Sequence, residues 1–338
     1  MQKRVALIND LSGYGKCSIN TQIPIIAAFG DTASCCLTSY LSNHTAYRDK
    51  VKIDLNEELP KVLKMWEELN FKFDGVITGY VGNAANILNI REYLADQKLE
   101  NDNMFIMVDP VFADNGKMYC EMTDEHVTNF KKLMEISDIT TPNITEACML
   151  TGVDYEVLRI KCGLLNYEGN EQAQLEKLSK KVIEACKEVL EKIIFKKNQI
   201  TIITGIELYN SIVTIMDVFE GDKGVRQTTC NFAKKLDPRP GAGDLFDALF
   251  METKLFGYGL VDCLNITSGF ISNALRFSID KKYPYEEGII YEPILFNNMN
   301  VIMQNTKRRD EVQNNNGQTD QSPNPNNGAI PPNAPTNI

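Results

Sequence analysis

Histidine is nearly missing from this chain, with His44 and His126 the only two among 338 residues. A multi-histidine metal centre is therefore excluded, and a Ser-His-Asp triad has almost nothing to draw on. Positive charge is also short: 35 Lys and Arg stand against 45 Asp and Glu, for a net charge of −10. Nucleic-acid affinity rests on Lys and Arg neutralising phosphates, so no nucleic-acid partner is expected. No stretch approaches the roughly 18 apolar residues of a membrane span, and the N-terminus reads as a strand, not a signal peptide. The nine cysteines form no Cys-x-x-Cys pair, which suits reduced thiols in a reducing compartment. The expected setting is cytoplasmic, and the chemistry is left to carboxylates, hydroxyls and backbone.

What is present is a core-forming composition, 43% hydrophobic. Residues 4–9 form an apolar run, followed by a Gly-containing loop from Asp10 to Ser18 and an apolar helix from Ile19 to Phe29. Further short apolar runs fall at 76–78, 104–108, 138–141 and 200–204, with helical stretches between them. Strands alternating with helices predict an α/β fold with a mostly parallel central sheet covered on both faces. Ligands in such folds sit beyond the C-terminal strand ends. Spacing predicts one amphipathic helix over 171–194, a β-hairpin over 212–232, and helices from Gly243 or Asp244 to Met251 and from Val261 to Phe277. After about residue 305 the chain turns to Asn, Gln, Pro and Gly, which predicts one domain over 1–304 and a disordered tail over 305–338.

The sharpest motif is Pro240-Gly241-Ala242-Gly243-Asp244 before an apolar helix. Successive N–H groups there can surround an anion at a helix N-terminus, and Asp244 can take a proton from an attacking alcohol. The alternative is an ordinary helix cap. Asp109 before Pro110, and Asn143 to Glu146, end strands; each is a metal or phosphate candidate or a turn and cap residue. Gly13 to Ser18 resembles a Walker A loop but lacks its spacing and its hydroxyl after Lys16, so a P-loop is rejected. No dinucleotide fingerprint follows the first strand either.

The set IND-LSGYGKCS (8–18), LSNHT (41–45), TGYVGN (78–83), VDPVFADNGKMY (108–119), TPNITEA (141–147), ITG (203–205) and PGAGDLF (240–246) resembles the ribokinase-like superfamily, and within it the vitamin B6 kinases. The resemblance covers about the first 280 residues. It implies ATP-dependent phosphorylation of the hydroxymethyl group of pyridoxal, pyridoxamine or pyridoxine, Mg²⁺ and K⁺ dependence, and a homodimer. By position it implies Asp244 as base, with Gly241, Ala242 and Gly243 as the anion hole. Asp109 and Glu146 would manage Mg²⁺. Asn143, Glu146, Thr204, Gly205 and Asp114 would line the nucleotide, and Asp10, Ser12, His44, Thr45, Tyr80 and Tyr119 the pyridine pocket and its cover.

Some features depart from the pattern. B6 kinases commonly carry Thr where Ala242 stands, and Gly-Ala-Gly-Asp is more usual among sugar kinases, so a sugar or nucleoside kinase is the alternative. A catalytically silent relative is a third. Asp247 has no family role, residues 154–170 read as an insertion, and Lys234, Lys235 and Arg239 are a possible basic rim or a solvated loop. The hairpin and the 114–119 loop are candidate covers over the site. His126, in a polar stretch, is expected to be solvated.

Overall fold

A computed structural model describes residues 2–166, 172–220 and 225–296, and Met1–Phe296 cluster as one compact unit. The predicted tail lies outside the described residues. In chain order the elements are β1 (Arg4–Ser12), α1 (Ile19–Ala28), β2 (Thr32–Leu41), β3 (Lys52–Asp54), α2 (Leu59–Glu68), β4 (Gly75–Thr78), α3 (Ala84–Glu100), β5 (Phe105–Val108), β6 (Ala113–Asp114) and β7 (Lys117–Met118). There follow α4 (Asp124–Met134), β8 (Ile139–Thr140), α5 (Ile144–Thr151), α6 (Tyr155–Gly163), α7 (Gln172–Ala185), α8 (Lys187–Lys192), β9 (Ile200–Glu207), β10 (Ser211–Glu220), β11 (Val225–Lys234), α9 (Ala242–Leu255) and α10 (Leu260–Asp280).

The central sheet has the order β11-β10-β9-β8-β5-β4-β1-β2-β3, parallel from β9 through β2 and antiparallel at both edges. Val5, Ala6, Leu7 and Ile8 are all fully buried, as a parallel strand covered on both faces requires. Their alternation divides the core: Ala6 and Ile8 join Val76, Ile106 and Val108 beneath Leu63, Ile87, Leu94 and Leu133, while α1, α9 and α10 pack together on the opposite face.

Three predicted features change. The 171–194 stretch is two helices, because Cys186 at φ −90°, ψ 3° leaves the helical conformation between them. The described strands of the 212–232 hairpin extend the central sheet instead of covering the site: Val218 pairs with Ile200, so Glu220 and Val225 lie level with the start of β9, away from Thr204, and residues 221–224 lie outside the described residues. The small hairpin beside the strand ends is β6–β7, within the other segment expected to cover the site. His126 is buried, not solvated: its Nδ1 accepts from the Thr123 N–H at 3.2 Å and its Nε2 faces the Gly82 carbonyl at 3.3 Å, closing a capping box. β2 escaped the reading because its sequence, TASCCLTSYL, has neither a long apolar run nor a regular alternation. The described part of the 154–170 stretch is helix α6, which buries Leu158 and Cys162 against α7, α8 and β9.

The added hairpin is pinned by one ion pair. Asp217, 2% exposed, accepts from Arg226 Nε at 2.8 and 3.0 Å and from the Thr228 hydroxyl at 2.7 Å, and Arg226 also donates to the Leu190 carbonyl at 2.6 Å. Removing one member strands a buried charge. Arg226→Ala should cost about 3 kcal/mol in equilibrium urea unfolding, and Asp217→Ala combined with Arg226→Ala should cost less than the two changes summed. A loss under about 0.5 kcal/mol for Arg226→Ala would show the pair to be dispensable.

Candidate active site

The sheet order brings the C-terminal ends of β1, β4, β5, β8 and β9 to one edge, and the N-terminus of α9 arrives there. Gly241 holds φ +82° and a Cβ at 241 would stand 1.9 Å from the Lys16 carbonyl oxygen, so the loop after β1 can press against this turn only because residue 241 is glycine. Gly243 has open space where its Cβ would be. Residues 242–244 form the first helical turn, whose N–H groups have no acceptor within the helix; that of Ala242 reaches only the Arg239 carbonyl, at 3.4 Å. The N–H of Asp244 bonds its own carboxylate, which leaves the open space at Gly243, the weakly held N–H of Ala242 and the positive end of the helix dipole as a candidate seat for a phosphoryl group.

Asp244 stands at that seat. Burial raises its carboxyl to about 6, opposed by hydrogen bonds from the Ser18 backbone and from Asn9, while the charge of Asp10 pushes it further up. Asn9 is the joint of the site. Its Nδ2 donates to Asp244 Oδ1 at 3.2 Å, and its Oδ1 accepts from the backbone N–H of Asp10 at 2.9 Å and of Tyr80 at 2.8 Å. The sequence reading passed over Asn9 as the last residue of an apolar run. The one clue was its position, a polar residue at the C-terminal end of a buried parallel strand.

The expected pyridine-pocket residues divide. Asp10 is 6% exposed and accepts from the hydroxyls of Ser18 and, at 3.4 Å, Ser12; burial raises its pKa against those bonds. Tyr80 adjoins them through Asn9, and its hydroxyl donates to Glu121 at 2.7 Å and accepts from Lys52 at 3.0 Å. Tyr119 lies within electrostatic reach of Glu146, Asp114, Asp109 and Asp244. His44 faces elsewhere. Its Nδ1 accepts from the Ala46 N–H at 3.3 Å, which leaves Nε2 to donate to the Glu286 carbonyl at 2.8 Å, and burial lowers the pKa of the ring. The ring buttresses Gly15 of the first loop. Thr45 is exposed beside it. Lys52 and Glu121, an ion pair joining β3 to the segment after β7, had no local sequence signal.

On the nucleotide side, Asn143 caps α5: its Oδ1 accepts from Thr145 and Glu146 at 2.9 and 3.0 Å, and its Nδ2 donates to the Ala113 carbonyl at 2.7 Å. Thr204 bridges to Asn143, and Gly205 follows at φ +73°. Asp114 is exposed and accepts from Asn115. The predicted basic rim is tied down instead: Lys235 pairs with Glu207 at 2.7 Å and Arg239 donates to the Pro284 carbonyl at 2.5 Å.

Whether these residues suit a divalent cation turns on the carboxylates. Glu146 accepts from the Phe112 and Ala113 N–H groups through Oε1, which braces the loop after β5, and from the Asn143 N–H through Oε2, which closes the capping box of α5. Asp109, by contrast, has no N–H donor; the group it meets is the carboxyl of Asp247, whose Oδ2 is buried and unpartnered. An oxygen pair without donors suits a hard cation. Among the described residues no three His, Cys, Asp or Glu side chains form a metal cage, so such a cation would take its remaining ligands from phosphate and water.

The phosphomethylpyrimidine kinase family profile matches residues 18–164. A pyridoxal kinase of Actinobacillus pleuropneumoniae is 25% identical over 248 residues, 71% of this chain and 76% of that one. The Arabidopsis thaliana pyridoxal kinase is 31% identical over 133 residues, 38% of this chain and only 43% of its own length. Among solved structures, a Bacteroides thetaiotaomicron protein assigned as a phosphomethylpyrimidine kinase and crystallised with pyridoxal is 26% identical, with a TM-score of 0.71 over 88% of this chain and 96% of that one. The fold is similar to that of small-molecule kinases of the ribokinase-like superfamily. Within that superfamily the chain is similar to pyridoxal kinases, although it spans less than half the length of several of the relatives it matches.

Asn9→Ala should lower kcat by roughly tenfold to a hundredfold through misplacement of Asp244, and should move the acidic limb of the pH–rate profile upward, because the bond that favours the carboxylate is lost. Stranding the Asp10 and Tyr80 amides should also cost about 1–3 kcal/mol in urea unfolding. An unshifted limb with full kcat would remove Asn9 from the site.

Proposed function

We propose that the protein transfers the γ-phosphoryl group of ATP to the hydroxymethyl group of pyridoxal, pyridoxamine or pyridoxine. The observation that carries this reading is Asp244, a buried carboxyl raised to about 6 at the mouth of α9, beside the open glycine turn of residues 241–243. Phosphoryl transfer asks for positioning and charge stabilisation more than covalent help, and these residues supply both.

The vitamin ring would lie over Asp10, Ser12 and Tyr80 with its hydroxymethyl oxygen toward Asp244. The nucleotide would lie along Asn143, Thr204 and Gly205. The main-chain N–H groups of Gly241, Ala242 and Gly243 would hold the transferring oxygens, and Asp244 would accept the alcohol proton as the new O–P bond forms and the bond to ADP breaks. A divalent cation held by Asp109 would offset phosphate charge when bound. Covering the site restrains competing transfer to water; β6–β7, with Tyr119 behind it, is placed to do this. A homodimer in the cytoplasm is part of the same reading, supported by the resemblance and by the lack, among the described residues, of any helix long and apolar enough to cross a membrane.

The direct test presents ATP with the three B6 vitamers, a hydroxymethylpyrimidine, adenosine and a hexose. Fastest turnover is expected on a B6 vitamer, and preference for adenosine or the hexose would transfer the reading to the sugar and nucleoside kinases. Asp244→Asn should fold normally and lose at least ~10²-fold in kcat. Because the base acts deprotonated, kcat/KM should fall about tenfold per pH unit below about 6 and level off above it. A profile flat from pH 5 to 7 would show that Asp244 is not the titrating base.

A further inference from the structure

Asp247 has no part in the reading so far, and its surroundings are chemically unusual. It lies three residues beyond Asp244 on α9, so both side chains leave the helix on one face. It is 2% exposed, deep enough that an unbalanced charge would be strongly disfavoured. Its carboxyl meets that of Asp109 at the end of β5, although two ionised carboxylates cannot hydrogen-bond to each other. The charges acting on the pair come from Asp244 and Glu146, which add more negative charge. Asp247 Oδ2 has no hydrogen-bond partner, and the Thr141 hydroxyl, 4% exposed and next to Asp247, completes no bond of normal geometry. Four features therefore coincide: two touching carboxyls, an orphan oxygen, an orphan hydroxyl and a surplus of negative charge. Burying such a group without a counter-charge is costly, whereas a small divalent cation would satisfy all four.

We infer that Asp247 is a cation-binding residue of this chain, holding a divalent metal ion jointly with Asp109. The usual pattern for Mg²⁺ is one or two carboxylates plus substrate phosphates and waters, which explains why the described residues offer no complete cage. The division of labour follows from the hydrogen bonds: Glu146, occupied by three main-chain N–H groups, holds the loop, while Asp109 and Asp247 face the ion. The inference rests on the kinase reading for the ion's remaining ligands, the nucleotide phosphates.

Mn²⁺, read directly by electron paramagnetic resonance, tests this without turnover. The full chain is titrated with Mn²⁺ in the presence of ADP, as wild type, Asp247→Asn and Asp247→Ser, so that a folding failure in one variant leaves the other. Either folded variant should bind Mn²⁺ at least ~10-fold more weakly than wild type, because one of two ligating carboxylates is gone. Its affinity for ADP in chelator, where no divalent ion is present, should stay within about twofold. Mn²⁺ should raise the melting temperature of the wild type more than that of either variant. Variants binding Mn²⁺ within twofold of wild type would overturn the assignment and leave Asp247 and Asp109 sharing only a proton. Should the wild type bind Mn²⁺ as expected yet phosphorylate no B6 vitamer, the fault would lie in the vitamin assignment, not in the cation site.

Discussion

Three hydrogen bonds from one side chain tie the site together. Asn9 reaches from the end of β1 to the base on α9 and to the main chain at Asp10 and Tyr80, so the acceptor pocket and the base cannot shift independently. The close approach of the Lys16 carbonyl to Gly241 fixes the same relation from the other side. Between them, these contacts set the distance from the alcohol's binding place to the helix N-terminus, and in-line transfer depends on that distance more than on any single group.

The electrostatic design follows from burial. Asp10, Asp109, Glu146, Asp244 and Asp247 crowd one strand edge in a chain that is acidic overall. Each is handled differently: hydroxyls of Ser12 and Ser18 hold Asp10, main-chain N–H groups hold Glu146, Asn9 and the Ser18 backbone hold Asp244, while Asp109 meets Asp247, which also has the Thr141 hydroxyl beside it. That gradation separates carboxylates that position, one that exchanges a proton, and two left for a cation. In the proposed reading an acidic protein could still bind a polyphosphate here, because the attraction would be local, made by main-chain N–H groups, a helix dipole and a cation.

Much of this was legible in the residues. Short apolar runs broken by glycine and polar loops gave the parallel sheet, and Gly-Ala-Gly-Asp before an apolar helix marked the start of α9, with Asp244 in its first turn, as the candidate phosphate seat and base. Less legible were contacts between residues far apart in sequence. β2 lacks periodicity, so its place beside β1 appears only in the folded chain. The hairpin pattern of β10 and β11 was plain, but nothing local says that they join the central sheet. Asn9 looked like the close of a strand, His126 like a surface residue, and Asp247 like a helical carboxylate without purpose; each acquires its role from a partner between 3 and 235 residues away.

The most direct measurement is a crystal structure of the complex with a non-hydrolysable ATP analogue and pyridoxal. The terminal phosphoryl group should rest on the main-chain N–H groups of residues 241–243, with the vitamin's hydroxymethyl oxygen within hydrogen-bond reach of Asp244 and aligned with the bond to be broken. A terminal phosphoryl group bound away from that helix end, or a hydroxymethyl group turned from Asp244, would contradict the account.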